Sequence, residues 1–285
     1  MNELSTLCER AGINLDDILE NKDSYYRTFY IRKKDNKPRP IDAPFGDLIT
    51  AQKICVKYLS DKKDLVHDKA KAFRKGVSLR HNAAPHINKR KVLKIDLKDF
   101  FGSIKQDMVA RILGDKIADL VCYRGRLPQG APTSPIVSNI IAYNLDCQLE
   151  AWAAQHNLSY TRYADDMSFS GDSIPESYRR DLNRFIRSQD LRINYKKTKL
   201  VSNNREQCIT GVNVNKIASI SKRKCRHKLR AVLYYYGKNG MKLTEEIKGM
   251  LAYIKSINEQ QYQKLVRDYE RHFQWSTERT SSGTE

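Results

Sequence analysis

The succession of strand-like and helix-like segments predicts an α+β chain built around a split βαβ, or ferredoxin-like, unit. Apolar runs at 91–97, 158–170 and 191–201 are separated by stretches of helical spacing at 134–152 and around 176–188, which gives the order β-α-β-β-α-β. The middle run folds on itself, because Tyr163-Ala164-Asp165-Asp166 interrupts it as a tight turn. Adjacent carboxylates repel, so an Asp-Asp pair at the tip of an apolar hairpin is hard to explain by stability. In this strand order the end of the first strand, Asp96, lies beside the central hairpin. Asp96, Asp165 and Asp166 are therefore expected to converge, and three converging carboxylates suit a pair of Mg²⁺ ions handling phosphates.

The elements follow in order. Residues 1–24 read as a short helical lead-in through Leu4, Leu7, Ile13, Leu15, Ile18 and Leu19. A strand is expected over 25–31, then a basic turn over 32–39, a short strand near Ile41, and helical spacing over 47–60 through Leu48, Ile54 and Leu59. Ser134-Pro135 is a good helix start, with Ser as N-cap and Pro at the first position. Ile136, Val137, Ile140, Ile141, Leu145, Leu149 and Trp152 then continue one apolar face. From about 221 the chain turns strongly basic, and 228–274 reads as two or three helices rich in Tyr and Lys, with a frayed tail from Ser276.

The 285 residues carry 52 Lys and Arg against 33 Asp and Glu, a formal charge of +19 spread along the chain. A broad positive field favours nucleic acid as partner, since neutralising phosphates releases counterions. Cys8, Cys55, Cys122, Cys147, Cys208 and Cys225 are scattered without metal-ligand spacing and read as reduced thiols. No apolar run approaches bilayer length, and the acidic start (Glu3, Glu9, Asp16, Asp17) does not read as a signal peptide, so a cytoplasmic protein with no membrane partner is expected.

Five segments occur in one order: IDLKDFF at 95–101, LPQGAPTSP at 127–135, YADD at 163–166, INYKKTKL at 193–200 and ITGVNV at 209–214. Together they resemble the ordered motifs of reverse transcriptases. Asn82-Ala83-Ala84-Pro85-His86 resembles the Asn-Ala-x-x-His element of the retron branch, and Ile209-Thr210-Gly211 resembles its Val-Thr-Gly element, with Ile replacing Val. The resemblance implies a right-hand polymerase: N-terminal helices and fingers over 1–90, a ferredoxin-like palm over 91–214 with a fingers-side insertion around 115–135, a helical thumb over 215–275 and a disordered tail over 276–285.

It also implies residue roles. Asp96, Asp165 and Asp166 would hold two Mg²⁺ ions, with the backbone carbonyl of Leu97 completing the shell; a paired strand carbonyl is the plain alternative for Leu97. Phe101 matches the ring placed under the nucleotide sugar, where bulk excludes a 2′-hydroxyl. Gln129 and Gly130 match a loop that meets the nucleotide, Gly permitting close backbone approach. Lys33 and Arg39 match fingers residues that grip the β and γ phosphates, although Arg32 and Lys34 compete with Lys33. Lys197 matches a lysine that can protonate departing pyrophosphate, and Lys196 and Lys199 lie close enough to leave that choice open. Asn82 and His86 would contact RNA, or support the loop that does. Lys222, Arg223, Lys224 and Arg226, with the tyrosines at 234–236, would grip an RNA stem-loop.

The function implied is that of a retron RNA-directed DNA polymerase. It would bind its structured non-coding RNA (msr-msd), prime from an internal 2′-hydroxyl and use dNTPs to make a branched RNA–cDNA product, the multicopy single-stranded DNA. An effector or toxin protein and a role in antiphage defence are implied with it. RNase H activity is expected to come from elsewhere, since no appended domain follows the thumb. The competing expectations are a group II intron-like or diversity-generating reverse transcriptase, and an RNA-binding antitoxin scaffold.

Overall fold

The structure is a computed structural model that describes residues 3–32, 36, 38–62, 64–220 and 227–281, the side chains from 275 onward excepted. Helices α1 (Glu3–Arg10) and α2 (Leu15–Glu20) open the chain, and the Asn14 side chain caps α2 by accepting from the Asp16 N–H at 3.1 Å. Strands β1 (Tyr26–Arg32) and β2 (Pro38–Pro44) form an antiparallel two-stranded ribbon with Tyr26 opposite Pro44 and Arg32 opposite Pro38. Three prolines in β2 suit an edge strand, which needs fewer backbone donors. Then come α3 (Gly46–Asp61), α4 (Leu79–Ala83), β3 (Lys91–Asp96), α5 (Phe100–Ser103), α6 (Gln106–Leu113) and α7 (Asp115–Val121).

Two helices, α8 (Ser134–Ile141) and α9 (Tyr143–Gln155), stand where one was expected. Ala142, at ψ 4°, interrupts them, yet its N–H still donates to Ser138 O (3.1 Å) and its carbonyl accepts from the Asp146 N–H (2.9 Å). Helical bonding thus runs through the break, which is why periodicity does not reveal it. Strands β4 (Ser159–Tyr163) and β5 (Asp166–Gly171), helix α10 (Tyr178–Ser188) and β6 (Lys199–Ser202) complete the central succession. Short strands β7 (Cys208–Ile209), β8 (Val212–Asn213) and β9 (Ser219–Ile220) make a three-stranded sheet, followed by α11 (His227–Lys238), α12 (Glu245–Ile257) and α13 (Glu259–Ser281). Helix α13 continues past Ser276, where fraying was expected.

The four-stranded sheet has the order β4-β5-β3-β6, the arrangement of a split βαβ unit. β3 and β5 are its inner strands and are buried on both faces over most of their length. β6 is shorter than the 191–201 strand the sequence suggests. Leu97 and Ile193 form an isolated antiparallel bridge, and then the chain turns, with the N–H groups of Lys197 and Thr198 donating to Asn194 O at 3.0 and 3.2 Å. That turn replaces ladder pairing and presents Lys197.

The chain divides into two compact units, cut at other points than composition suggests. The first comprises Met1–Val77, Lys94–Met167 and Ile174–Lys199, with Leu48, Leu120, Leu145 and Leu149 fully buried in its core. The second comprises Ser78–Leu93, Ser168–Ser173 and Leu200–Glu285. Its core joins Val92, Ile209 and Val212 to Leu229, Leu233, Leu251, Ile254 and Leu265 of the last three helices. Cys8, Cys55, Cys122 and Cys147 are free thiols, and Cys225 lies outside the described residues. Among the described residues no helix is long and apolar enough to cross a membrane.

Candidate active site

The three acids meet at the end of β3 in the first unit. β4 and β5 are joined by Ala164 and Asp165 alone, and Ala164 takes φ +57°, a left-handed conformation that costs an L-residue about 1–2 kcal/mol. The Leu97 N–H donates to Asp165 O at 2.9 Å, which fixes the hairpin tip against the residue after Asp96. Around Leu97 the remaining ladder bonds use neighbouring carbonyls, Asn194 N–H to Asp96 O and Lys98 N–H to Arg192 O, both 2.8 Å.

Asp96 is only 6% exposed. Its carboxylate accepts from Asn194 Nδ2 at 2.8 Å on one oxygen and from Lys197 Nζ at 2.9 Å on the other. That hydrogen bond pulls the Lys197 ammonium above its ordinary pKa. Of the three lysines left open by sequence, Lys197 is thus the one at the acids, while Lys196 and Lys199 form no ion pair among the described residues. Burial pushes the Asp165 and Asp166 carboxyls above the ordinary range. Neighbouring acids add to this, Asp96 for Asp165, and Asp165 then Asp96 for Asp166; Lys197 opposes it at both. Arg39, exposed on β2, also acts on Asp165 as an opposing charge.

Among the described residues no group of three or more His, Cys, Asp or Glu side chains is arranged to hold a metal ion as it stands. The donor chemistry nevertheless fits a hard dication: three carboxylates share one strand end, and burial and mutual repulsion disfavour charge on two of them. The Lys197 ammonium now supplies part of the positive charge that such a cluster demands.

Phe101 is half-buried on α5, with its ring centroid 5.7 Å from that of Phe100 and 6.3 Å from that of Phe73. Phe100 is the core member of the pair, at 3% exposure. At Gly130, φ is +129°, and a Cβ would lie 2.8 Å from Asp42 O and 2.8 Å from Ile41 Cγ2. The close approach this glycine permits is therefore to the backbone of β2, whose Asp42 N–H donates to Gln129 O at 2.8 Å. Lys33, Lys222, Arg223, Lys224 and Arg226 lie outside the described residues.

In the second unit, Asn82 and His86 differ from the expectation of direct RNA contact. Asn82 is 1% exposed and donates from Nδ2 to Thr210 Oγ1 at 3.2 Å. His86 is fully buried, with Nδ1 2.7 Å from Ser170 Oγ. Burial pushes the imidazole down to about 3, Lys89 adding to the effect, so it is neutral at physiological pH. Of the two roles expected, supporting a loop is the one this burial allows. Asn82 thereby meets the β7–β8 turn, Thr210-Gly211, with φ +44° and +88°, whereas His86 meets β5.

Sequence reasoning missed the residues beneath the acids. Arg162 is fully buried and pairs in a fork with the equally buried Asp146, Nε to Oδ1 at 2.8 Å and Nη2 to Oδ2 at 2.6 Å. Tyr160 Oη donates to the same Asp146 Oδ1 at 2.7 Å, and Asn139 accepts from Arg162 Nη1 at 3.1 Å. Asn194 was missed as well. An Arg between Thr161 and Tyr163 in a strand reads as a solvent-facing residue, and only the acid at 146 on the preceding helix hints otherwise.

A family model described as reverse transcriptase (RNA-dependent DNA polymerase) matches residues 31–214. The retron Mx65 reverse transcriptase of Myxococcus xanthus is 32% identical over 279 residues, covering 85% of this chain and 64% of that protein. The retron Ec86 reverse transcriptase of Escherichia coli is 29% identical over 282 residues, covering 93% of this chain and 88% of the relative. This chain thus spans just under two thirds of the first relative and most of the second. Among solved structures, a telomerase from Candida albicans in complex with a fragment of telomeric RNA matches with a TM-score of 0.50 at 14% identity, covering 90% of this chain and 56% of that one, a likeness of fold. The matched region takes in β3, the Asp-Asp turn and the turn bearing Lys197, and on that ground the chain belongs to the reverse transcriptases, of the retron type.

Proposed function

We propose that the chain is the RNA-directed DNA polymerase of a retron, copying part of a structured non-coding RNA into multicopy single-stranded DNA. The carrying observation is that Asp96 and the Asp165-Asp166 turn sit together through the Leu97 N–H to Asp165 O bond, with Lys197 on the same cluster. Asp96, Asp165 and Asp166, with the Leu97 carbonyl, would hold two Mg²⁺ ions, which when bound activate the primer hydroxyl and neutralise the incoming triphosphate. Asn194 orients Asp96 by donating to one oxygen. Arg39 is placed to meet phosphate charge on the side of Asp165. Phe101 would lie under the sugar and exclude a 2′-hydroxyl. Lys197 could deliver a proton to pyrophosphate once its ammonium leaves Asp96.

In this reading the ribbon β1–β2 belongs to the fingers, the β4-β5-β3-β6 sheet to the palm and α11–α13 to the thumb. Asn82 braces the Thr210-Gly211 turn, His86 holds Ser170 of β5, and the basic segment at 221–230 supplies phosphate contacts to the cognate RNA. The protein would work in the cytoplasm with its RNA, its cDNA and an effector protein in antiphage defence.

The test is to purify the protein with its nucleic acid. RNA joined to DNA through a 2′–5′ branch is expected. DNA extended from an ordinary 3′ end would favour an intron-like or diversity-generating enzyme. Linear RNA alone would sink the polymerase reading.

A further inference from the structure

We propose that Arg162 is a positioning residue for polymerisation, its guanidinium fixing the Ala164 carbonyl and thereby the reach of Asp165 and Asp166. The proposal rests on the reading of these acids as the catalytic centre. Two nitrogens of the fork already satisfy Asp146. The third, Nη1, does something else: it donates to Asn139 Oδ1 and to Ala164 O, each at 3.1 Å.

A buried ion pair is a poor device for stability alone. Desolvating two charges offsets most of their attraction, and apolar side chains of similar volume often do as well or better. What an apolar side chain cannot do is hold a carbonyl two residues farther along the strand. That carbonyl belongs to the residue at φ +57°, and a strained turn persists only where its surroundings over-determine it.

The same guanidinium reaches toward the expected sugar site. Its carbon lies 5.8 Å from the centroid of the Phe100 ring, which neighbours Phe101. Asn139, held through its oxygen by Arg162, donates from Nδ2 to Ala72 O at 2.9 Å. Ala72 precedes Phe73, whose ring flanks Phe101. Backbone bonds clamp the same segment, Arg162 N–H to Lys69 O at 2.8 Å and Lys71 N–H to Arg162 O at 2.7 Å. Arg162 thus ties the acid turn and the ring beside it to one buried centre.

The deciding variant is R162M/D146L/Y160F, which removes the charges and the paired hydroxyl together, so the fold is not left with an unpaired buried ion. Melting should stay near or above wild type. Turnover on an RNA template with a DNA primer should fall about a hundredfold, the scale of a 1 Å misplacement of reacting groups. Manganese affinity, read by electron paramagnetic resonance without nucleotide, should weaken about 10–100-fold. Wild-type turnover and affinity in the folded triple variant overturn the proposal.

R162K is the second variant. It keeps charge against Asp146, but one ammonium cannot span Asp146, Asn139 and Ala164, so turnover should still fall and ribonucleotide incorporation should rise. Wild-type values there also overturn the proposal. If wild-type protein makes no DNA on an RNA template, the polymerase reading fails, and the manganese measurement still judges Arg162.

Discussion

Two hairpin turns in this chain are strained in the same way and used for different ends. At the β4–β5 tip Ala164 sits at φ +57°, and at the β7–β8 tip Thr210 sits at φ +44°, beside Gly211. Each is braced by a buried side chain, Arg162 of the adjoining strand β4 on Ala164 O and Asn82 of α4 on Thr210 Oγ1. The first turn gathers carboxylates whose charge burial disfavours. The second is braced by a neutral amide, and in the same unit His86 is kept uncharged by burial. Strain with stored repulsion marks the turn proposed to meet a cation, and strain with neutral bracing marks the turn proposed to keep a shape.

The largest effect should come from removing the repulsion. D165N/D166N should reduce DNA synthesis to background while RNA retention persists. Because the two folded-state pKa values lie above the unfolded value of about 3.9, the native acids bind more protons than the unfolded ones in that window. Stability without metal should therefore fall as pH rises through it. The variant should flatten this slope and be more stable than wild type at neutral pH, as read by urea denaturation in chelator. A wild-type slope in the variant would contradict the repulsion account.

The second unit predicts the opposite slope, through His86. With His86 lowered to about 3 against an unfolded 6.5, stability is full above pH 6.5 and is lost as pH falls, by about 4 kcal/mol at pH 3. His86→Leu should remove that acid limb in urea titrations between pH 7 and pH 4. Next in size, Gly130→Ala should cost about 2 kcal/mol or more, since the methyl meets Asp42 O at 2.8 Å in a left-handed backbone. A thermal melt that does not shift would show that the Gln129–Gly130 loop is freer than its contact with β2 indicates. Smallest, Asn82→Ala should cost about 1 kcal/mol, and measurably less in a Thr210→Gly background, where this acceptor is gone. Additive losses would separate Asn82 from the turn.

Much of this was legible in the chain. The β-α-β-β-α-β order places Asp96 beside Asp165 because apolar runs and turn residues set strand order. The α8 start at Ser134-Pro135 is equally a local matter. What was not legible is long-range. Arg162 finds Asp146 only because the hairpin packs on α9, and a periodicity of two cannot report a charge buried on both sides. His86 was expected to contact RNA or to support the loop that does, and its full burial follows from long-range packing in the second unit. The shortening of β6 depends on Asn194, whose side chain serves Asp96.

The division into two units has a consequence for how the chain is made. Neither unit is continuous: the first needs residues up to Lys199, while the second begins at Ser78 and borrows Ser168–Ser173. During synthesis from the N-terminus, about 200 residues must emerge before the first unit can close, and the second must wait for the last helices. Folding one domain at a time is not open to such a chain. The long-range closures slow it and lengthen the time that apolar strands such as β3 stay exposed. A nascent protein of this design would profit from an early binding partner, and its formal charge of +19 would favour a partner of negative charge.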